Sequence, residues 1–140
     1  MKPIQQKKQA PNKKPKLRFL PILLFFIFIL WIIVQADLGI DNPFVQLVQQ
    51  IPWGDKIGHI CIFAGLTFFL NYALSHASFK LFRIKLLTGS VLIFCFALIE
   101  EFTQLFFPSR TFDFGDILSD LVGISLASIL AYRNVLAASK

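Results

Sequence analysis

From residue 55 onward, a very apolar chain is interrupted by polar side chains whose types and spacing could do chemistry. Asp55, Lys56 and His59 open one hydrophobic run, Glu101 and Gln104 close another, and Arg110, Asp116 and Asp120 lead into a third. A histidine one turn from Asp55 could form an oriented acid/base pair, with Glu101 as a second acid. Lys56 and Arg110 could hold a phosphate, arginine offering a planar fork suited to bidentate contact. The carboxylates and Gln104 could accept hydrogen bonds from sugar hydroxyls or amines. Histidine and carboxylate together are also ligand types for a divalent cation. The chain has no HExxH, no Gly-x-Ser-x-Gly and no Cys/His pair placed for nucleophilic attack, and neither Ser109 nor Thr111 beside Arg110 is marked as activated.

The charge count sharpens the problem. Asp55, Glu100, Glu101, Asp113, Asp116 and Asp120 are six acids set against Lys56 and Arg110. Even a protonated His59 leaves a surplus, so some of the acids must be exposed, protonated or bound to a cation. Glu100, beside Ile99 and about 100° around the helix from Glu101, is the one expected to be exposed or neutral.

These residues have to be held by membrane-spanning helices. The chain is 56% hydrophobic and contains seventeen Phe among 140 residues, which excludes an ordinary soluble domain. The hydrophobic runs predict an all-α, four-helix transmembrane bundle with spans at about 19–36, 57–76, 86–107 and 117–133. A basic tail over 1–18 is expected to be disordered and cytoplasmic, the membrane domain to cover 19–136, and 137–140 to form a cytoplasmic C-terminus. The net charge of +6 follows membrane sides instead of forming a nucleic-acid face. Seven, three and two of the fourteen basic residues fall on the inner segments, leaving only Lys56 and Arg110 outside. The bias predicts that both termini are cytoplasmic. Val34-Gln35-Ala36 before Asp37 imitates a signal-peptide cleavage site, but the bulky Phe- and Ile-rich run before it favours a retained anchor.

Between the first two spans, Asn42 and Pro43 suit the start of a helix, and Phe44, Leu47, Val48 and Ile51 repeat at helical spacing. A short interfacial helix is expected there, ended by Pro52 and anchored by Trp53. On the fourth span Ser119, Gly123, Ala127 and Ala131 recur every four residues, a small-residue stripe that lets helices approach closely. Asn71 reads as a helix–helix hydrogen-bond partner, and Cys61 and Cys95 as small buried hydrophobes. The topology gathers Asp55, Lys56, His59, Glu101, Gln104, Arg110, Asp116 and Asp120 at one depth on the outer side, as a shallow polar pocket.

Asp55-Lys56-x-x-His59, then Glu101-x-x-Gln104, Arg110, and Asp116 leading into a small-residue helix with Gly123, resembles the signature order of VanZ-like membrane proteins. The resemblance runs from about Trp53 to the end of the fourth span. It departs from the family pattern at Asp120, where an Asn is usual, and at Ala127, where a Gly is usual. It implies a multi-pass bacterial inner-membrane protein, in a family whose founding member is associated with low-level teicoplanin resistance. It implies neither a reaction nor a cofactor. Together the residues favour binding or organising a cell-envelope lipid or lipid-linked precursor, with membrane lipids and no nucleic acid as partners. A membrane-embedded acid/base or metal-assisted enzyme using His59, Asp55 and Glu101 is the alternative, and a purely structural polar network is the third. Four short spans could be complete alone or pair through the fourth helix.

Overall fold

A computed structural model describes residues 15–40 and 42–138, so most of the basic tail expected over 1–18 lies outside the described residues. Four helices long and apolar enough to cross a membrane form the all-α bundle. They are α1 (Leu20–Asp37), α3 (Gly54–Ala73), α4 (Thr88–Thr103, continued by a 3-10 turn over Gln104–Phe106) and α5 (Phe114–Ala138); the short helix α2 (Pro43–Gln49) precedes α3. The last helix therefore starts three residues earlier and runs further than hydropathy alone indicates. Its first turn contains Asp116, a polar residue that the apolar pattern excludes.

Helices α3, α4 and α5 share one core. Phe63 and Leu66 of α3 pack with Ile93 and Ala97 of α4 and Ile124 of α5, and Ile22 of α1 joins them. Helix α1 is tied in by edge-to-face rings, Phe25 on Phe69 and Phe26 on Phe96, with centroids 5.6 and 5.2 Å apart. Its remaining surface, with Leu23, Leu24, Ile27 and Val34, is exposed. That suits a helix whose solvent is hydrocarbon. Cys61 and Cys95 are exposed too, which corrects the expectation that they are buried. As small apolar side chains they satisfy a lipid-facing position as readily as a core one.

The small-residue stripe sets the closest helix contact. Ser119, Gly123, Ala127 and Ala131 are all buried. A side chain at Gly123 would run into the carbonyl of Ile60 and come within 3.0 Å of the Ala64 amide nitrogen, so α5 lies backbone to backbone on α3. Nearer the other end, Asn71 Nδ2 donates to Ser90 Oγ at 2.9 Å, and Ser90 and Ser128 hydroxyls meet at 2.7 Å, joining α3, α4 and α5 through one polar chain.

The connections at the two ends differ. At one end, Trp53 takes a left-handed conformation (φ +60°) that turns the chain sharply from α2 into α3. Gly54 is required beside it, because a side chain there would strike the Val48 carbonyl. At the other end, the segment between the second and third expected spans, together with Leu86 and Leu87 from the start of the third, is a two-stranded antiparallel hairpin, β1 (Ser78–Leu81) with β2 (Ile84–Leu87). Phe79 pairs with Leu86 and Leu81 with Ile84 on one face, while Lys80 faces Lys85 on the other. Phe82 at the tip is 95% exposed. Arg18 Nη1 donates to Ser75 Oγ (2.6 Å), and the Tyr132 hydroxyl donates to the Lys85 carbonyl, binding both chain ends to this connection.

Gly123→Val should lower bundle stability by roughly 1–3 kcal/mol, the usual range for overpacking a close contact. Thermal unfolding in detergent measures this. Val122→Ala, on an exposed position next to it, should leave the melting temperature nearly unchanged.

Candidate functional site

The polar residues meet where the start of α3, the end of α4 and the start of α5 come together. Three-residue spacing puts Lys56 and His59 on the side of α3 that faces α5, and four-residue spacing puts Asp116 and Asp120 on the opposing side of α5. Close approach at Gly123 brings those two faces within side-chain reach. Lys56 Nζ donates to Asp116 Oδ1 and to Asp113 Oδ2, and lies 3.6 Å from Asp55 Oδ2. One ammonium thus serves three carboxylates. The expectation that Lys56 holds a ligand phosphate is not supported, because its donors already point at protein acids.

His59 Nδ1 hydrogen-bonds Asp120 Oδ1 at 2.8 Å, and its Nε2 lies 3.8 Å from Asp116 Oδ2. The partner that orients the imidazole is therefore Asp120, from α5, and not Asp55 one turn away on its own helix. A proton on Nδ1 facing a carboxylate leaves Nε2 as the nitrogen turned toward Asp116. Asp120 is 0% exposed and does not line the cleft, so it acts from behind the histidine and not as a charge offered to a ligand.

The end of α4 supplies a second layer. Gln104 Nε2 donates to Glu100 Oε1 (3.0 Å) and Glu101 Oε2 (3.2 Å). The other oxygen of Glu101 accepts the Asp113 backbone amide at 2.8 Å. Glu101, fully buried, therefore holds the loop that delivers Asp113 and Asp116. Glu100 is only 6% exposed and pairs with Arg110 at 3.5 Å, so of the two conditions expected of it, exposed or neutral, exposure is excluded. Burial is possible because the loop folds back and returns a guanidinium to it. That fold-back cannot be read from residue spacing along a helix. Within the loop, Asp113 Oδ1 accepts the Gly115 amide at 2.7 Å, starting α5. Ser109 Oγ donates to the Asp37 carbonyl at 2.5 Å, fastening the loop to the end of α1.

These layers border a cleft of about 490 Å³. Its polar lining is Asp55, His59, Glu100, Gln104, Arg110 and Asp116. Its apolar lining comes from Ile29, Ile32, Ile33 and Ala36 of α1, Val45 and Val48 of α2, and Ile62 and Phe63 of α3. Of the eight residues singled out in the sequence, Asp55, His59, Gln104, Arg110 and Asp116 line the cleft, while Lys56, Glu101 and Asp120 stand behind it. Glu100 belongs to the lining and was missed, as was the part played by Asp113 in holding Lys56. The six-to-two surplus of acid over base was the available signal that further carboxylates take part.

A sequence model of the VanZ/LLP1 family matches residues 3–137. The chain belongs to the VanZ/LLP1 family. A relative in Schizosaccharomyces pombe, named "Uncharacterized protein C11E3.10", is 32% identical over 104 residues, which is 74% of this chain and 59% of the relative. The chain thus spans less than two thirds of that protein. No solved structure gives a significant match.

The Lys56 ammonium beside half-exposed Asp113 holds its carboxyl below the usual range for aspartate. A carboxyl whose pKa is lower folded than unfolded stabilises the fold above about pH 4, and that contribution is lost as pH falls through the folded value. Lys56→Met should move the Asp113 titration, followed by carbon-detected NMR, upward, with the Gly115 amide still holding it somewhat below the ordinary range. The same change leaves buried Asp116 without its cation and should cost up to about 3 kcal/mol of stability. Lys56→Arg should restore most of it.

Proposed function

We propose that this VanZ/LLP1 protein binds a cell-envelope lipid or lipid-linked precursor, with the headgroup against the polar lining of the cleft and a chain along the apolar lining. The carrying observation is the mixed lining, in which Arg110, His59, Glu100 and Gln104 border the same cleft of about 490 Å³ as Ile29, Ile32 and Ile33. That volume suits a headgroup with the start of a chain. Arg110 is the cleft residue suited to an anionic group: it makes one ion pair, to Glu100 at 3.5 Å, and no other ion pair among the described residues. Gln104 and the acids offer acceptors for hydroxyls or amines.

The proposed setting is a bacterial cytoplasmic membrane with both termini in the cytoplasm and the cleft opening to the outer leaflet. Arg18, Lys80, Arg83, Lys85 and Arg133 gather at the hairpin end and the acids at the other, the asymmetry expected of that orientation. Teicoplanin tolerance would follow only if the occupant is a lipid-linked precursor. The acid/base alternative rests on the His59–Asp120 pair, but Ser109, one of the two hydroxyl residues flanking Arg110, already donates to a backbone carbonyl.

Native mass spectrometry of gently solubilised protein tests the proposal. The wild type should retain an anionic lipid, and Arg110→Ala should lower retention at least tenfold while the protein still inserts and remains folded. Equal retention by the variant would reject the assignment of Arg110 to the headgroup, and retention of no lipid by the wild type would reject the reading.

A further inference from the structure

We propose that the cleft holds a divalent transition-metal ion, ligated by His59 Nε2, Asp116 Oδ2 and a carboxylate oxygen of Asp55. One ligand atom from each of these three side chains lies within 4.8 Å of the others. His59 Nε2 and Asp116 Oδ2 are 3.8 Å apart, close to the separation of two ligands each about 2.1 Å from a common ion. Lys56 occupies the other oxygen of Asp116 and so leaves Oδ2 turned to the imidazole. Asp55 is 66% exposed and can swing the remaining distance.

Two independent observations point to a cation. Glu100 is more than nine-tenths buried and lines the same cleft, yet its Oε2 has no hydrogen-bond partner among the described residues. A buried carboxylate oxygen in that condition is costly unless something positive or donating reaches it. The second is charge. The cleft presents Asp55, Glu100, Asp113 and Asp116, whereas Lys56 is already shared among three acids and Arg110 is paired with Glu100. An anionic headgroup would meet a net negative wall unless a cation sat between them. The ion deepens the lipid reading by supplying that positive charge.

The donor set selects the kind of ion. An imidazole nitrogen with two carboxylates suits Zn²⁺ or Mn²⁺ better than Mg²⁺ or Ca²⁺, which prefer all-oxygen sites. Three protein ligands leave a coordination position facing the cleft, as in sites where the ion engages a bound molecule. The Asp120–His59 bond then has the form of a carboxylate orienting a ligating histidine, which sets Asp120 as a positioning residue.

The test is calorimetric titration of chelator-treated full-length protein in detergent with Zn²⁺ and, separately, Mn²⁺. The wild type should bind one ion per chain, and His59→Ala and Asp55→Asn should each weaken binding at least tenfold. Asp120→Asn should weaken it about tenfold, the lower end for removing the group that orients a ligand. His76→Ala, at the opposite end of the bundle, should change nothing. If His59→Ala fails to fold, Asp55→Asn decides, since its side chain is exposed. No saturable binding by the wild type, or binding unchanged in Asp55→Asn, would overturn the proposal. Because lipid is absent from the titration, its failure is separate from failure of the lipid reading. Arg110→Ala should lose lipid while keeping the ion.

Discussion

The site depends on the backbone contact between α3 and α5. With no side chain at Gly123, α5 settles onto the Ile60–Ala64 turn of α3, and the one-turn spacing of each pair then brings Lys56 and His59 into register with Asp116 and Asp120. Each partner alone would be an ionisable group in a low-dielectric medium, a costly arrangement without compensation. The close helix packing and the charge pairing therefore require each other: the helices approach because the stripe is small, and the pairing makes the approach tolerable. The arrangement also favours one register, since sliding α5 by a turn would leave one of Lys56 and His59 without its α5 carboxylate.

The fold was legible in the sequence because hydrocarbon imposes simple rules. Spans need apolar runs of sufficient length, and charge asymmetry orders them, so four crossings follow from composition and spacing. The small-residue stripe indicated which face of the last helix would be approached closely. Short polar elements were harder to read. The hairpin over Ser78–Leu87 carries alternating apolar and basic residues in strands of four residues each, too short for a periodicity to separate from loop. The first turn of α5 is capped by Asp113 through the Gly115 amide, a local bond hidden from any hydropathy scale.

The site was legible as a set but not as a set of pairs. Residue types and depth identified who would gather, whereas partner choice depended on helix rotation. His59 turned to Asp120 on another helix in place of Asp55 on its own. Glu100 was buried by a guanidinium returning from a loop whose path no spacing rule predicts. The Asp120 carboxyl behind the histidine holds Nδ1 by a hydrogen bond and so fixes the ring and its orientation.

The hairpin end carries a further implication. Its exposed Phe82 and facing lysines, together with the tethers to Ser75 and Lys85, fasten the bundle at one boundary of the bilayer. Helices of fixed length rising from a fixed floor place the carboxylate layer at a set height. In a thinner membrane that layer would stand among headgroups, and in a thicker one it would sink toward the acyl chains, where ions and water are scarce. Bilayer thickness would thus act as a control on the site without touching any of its residues.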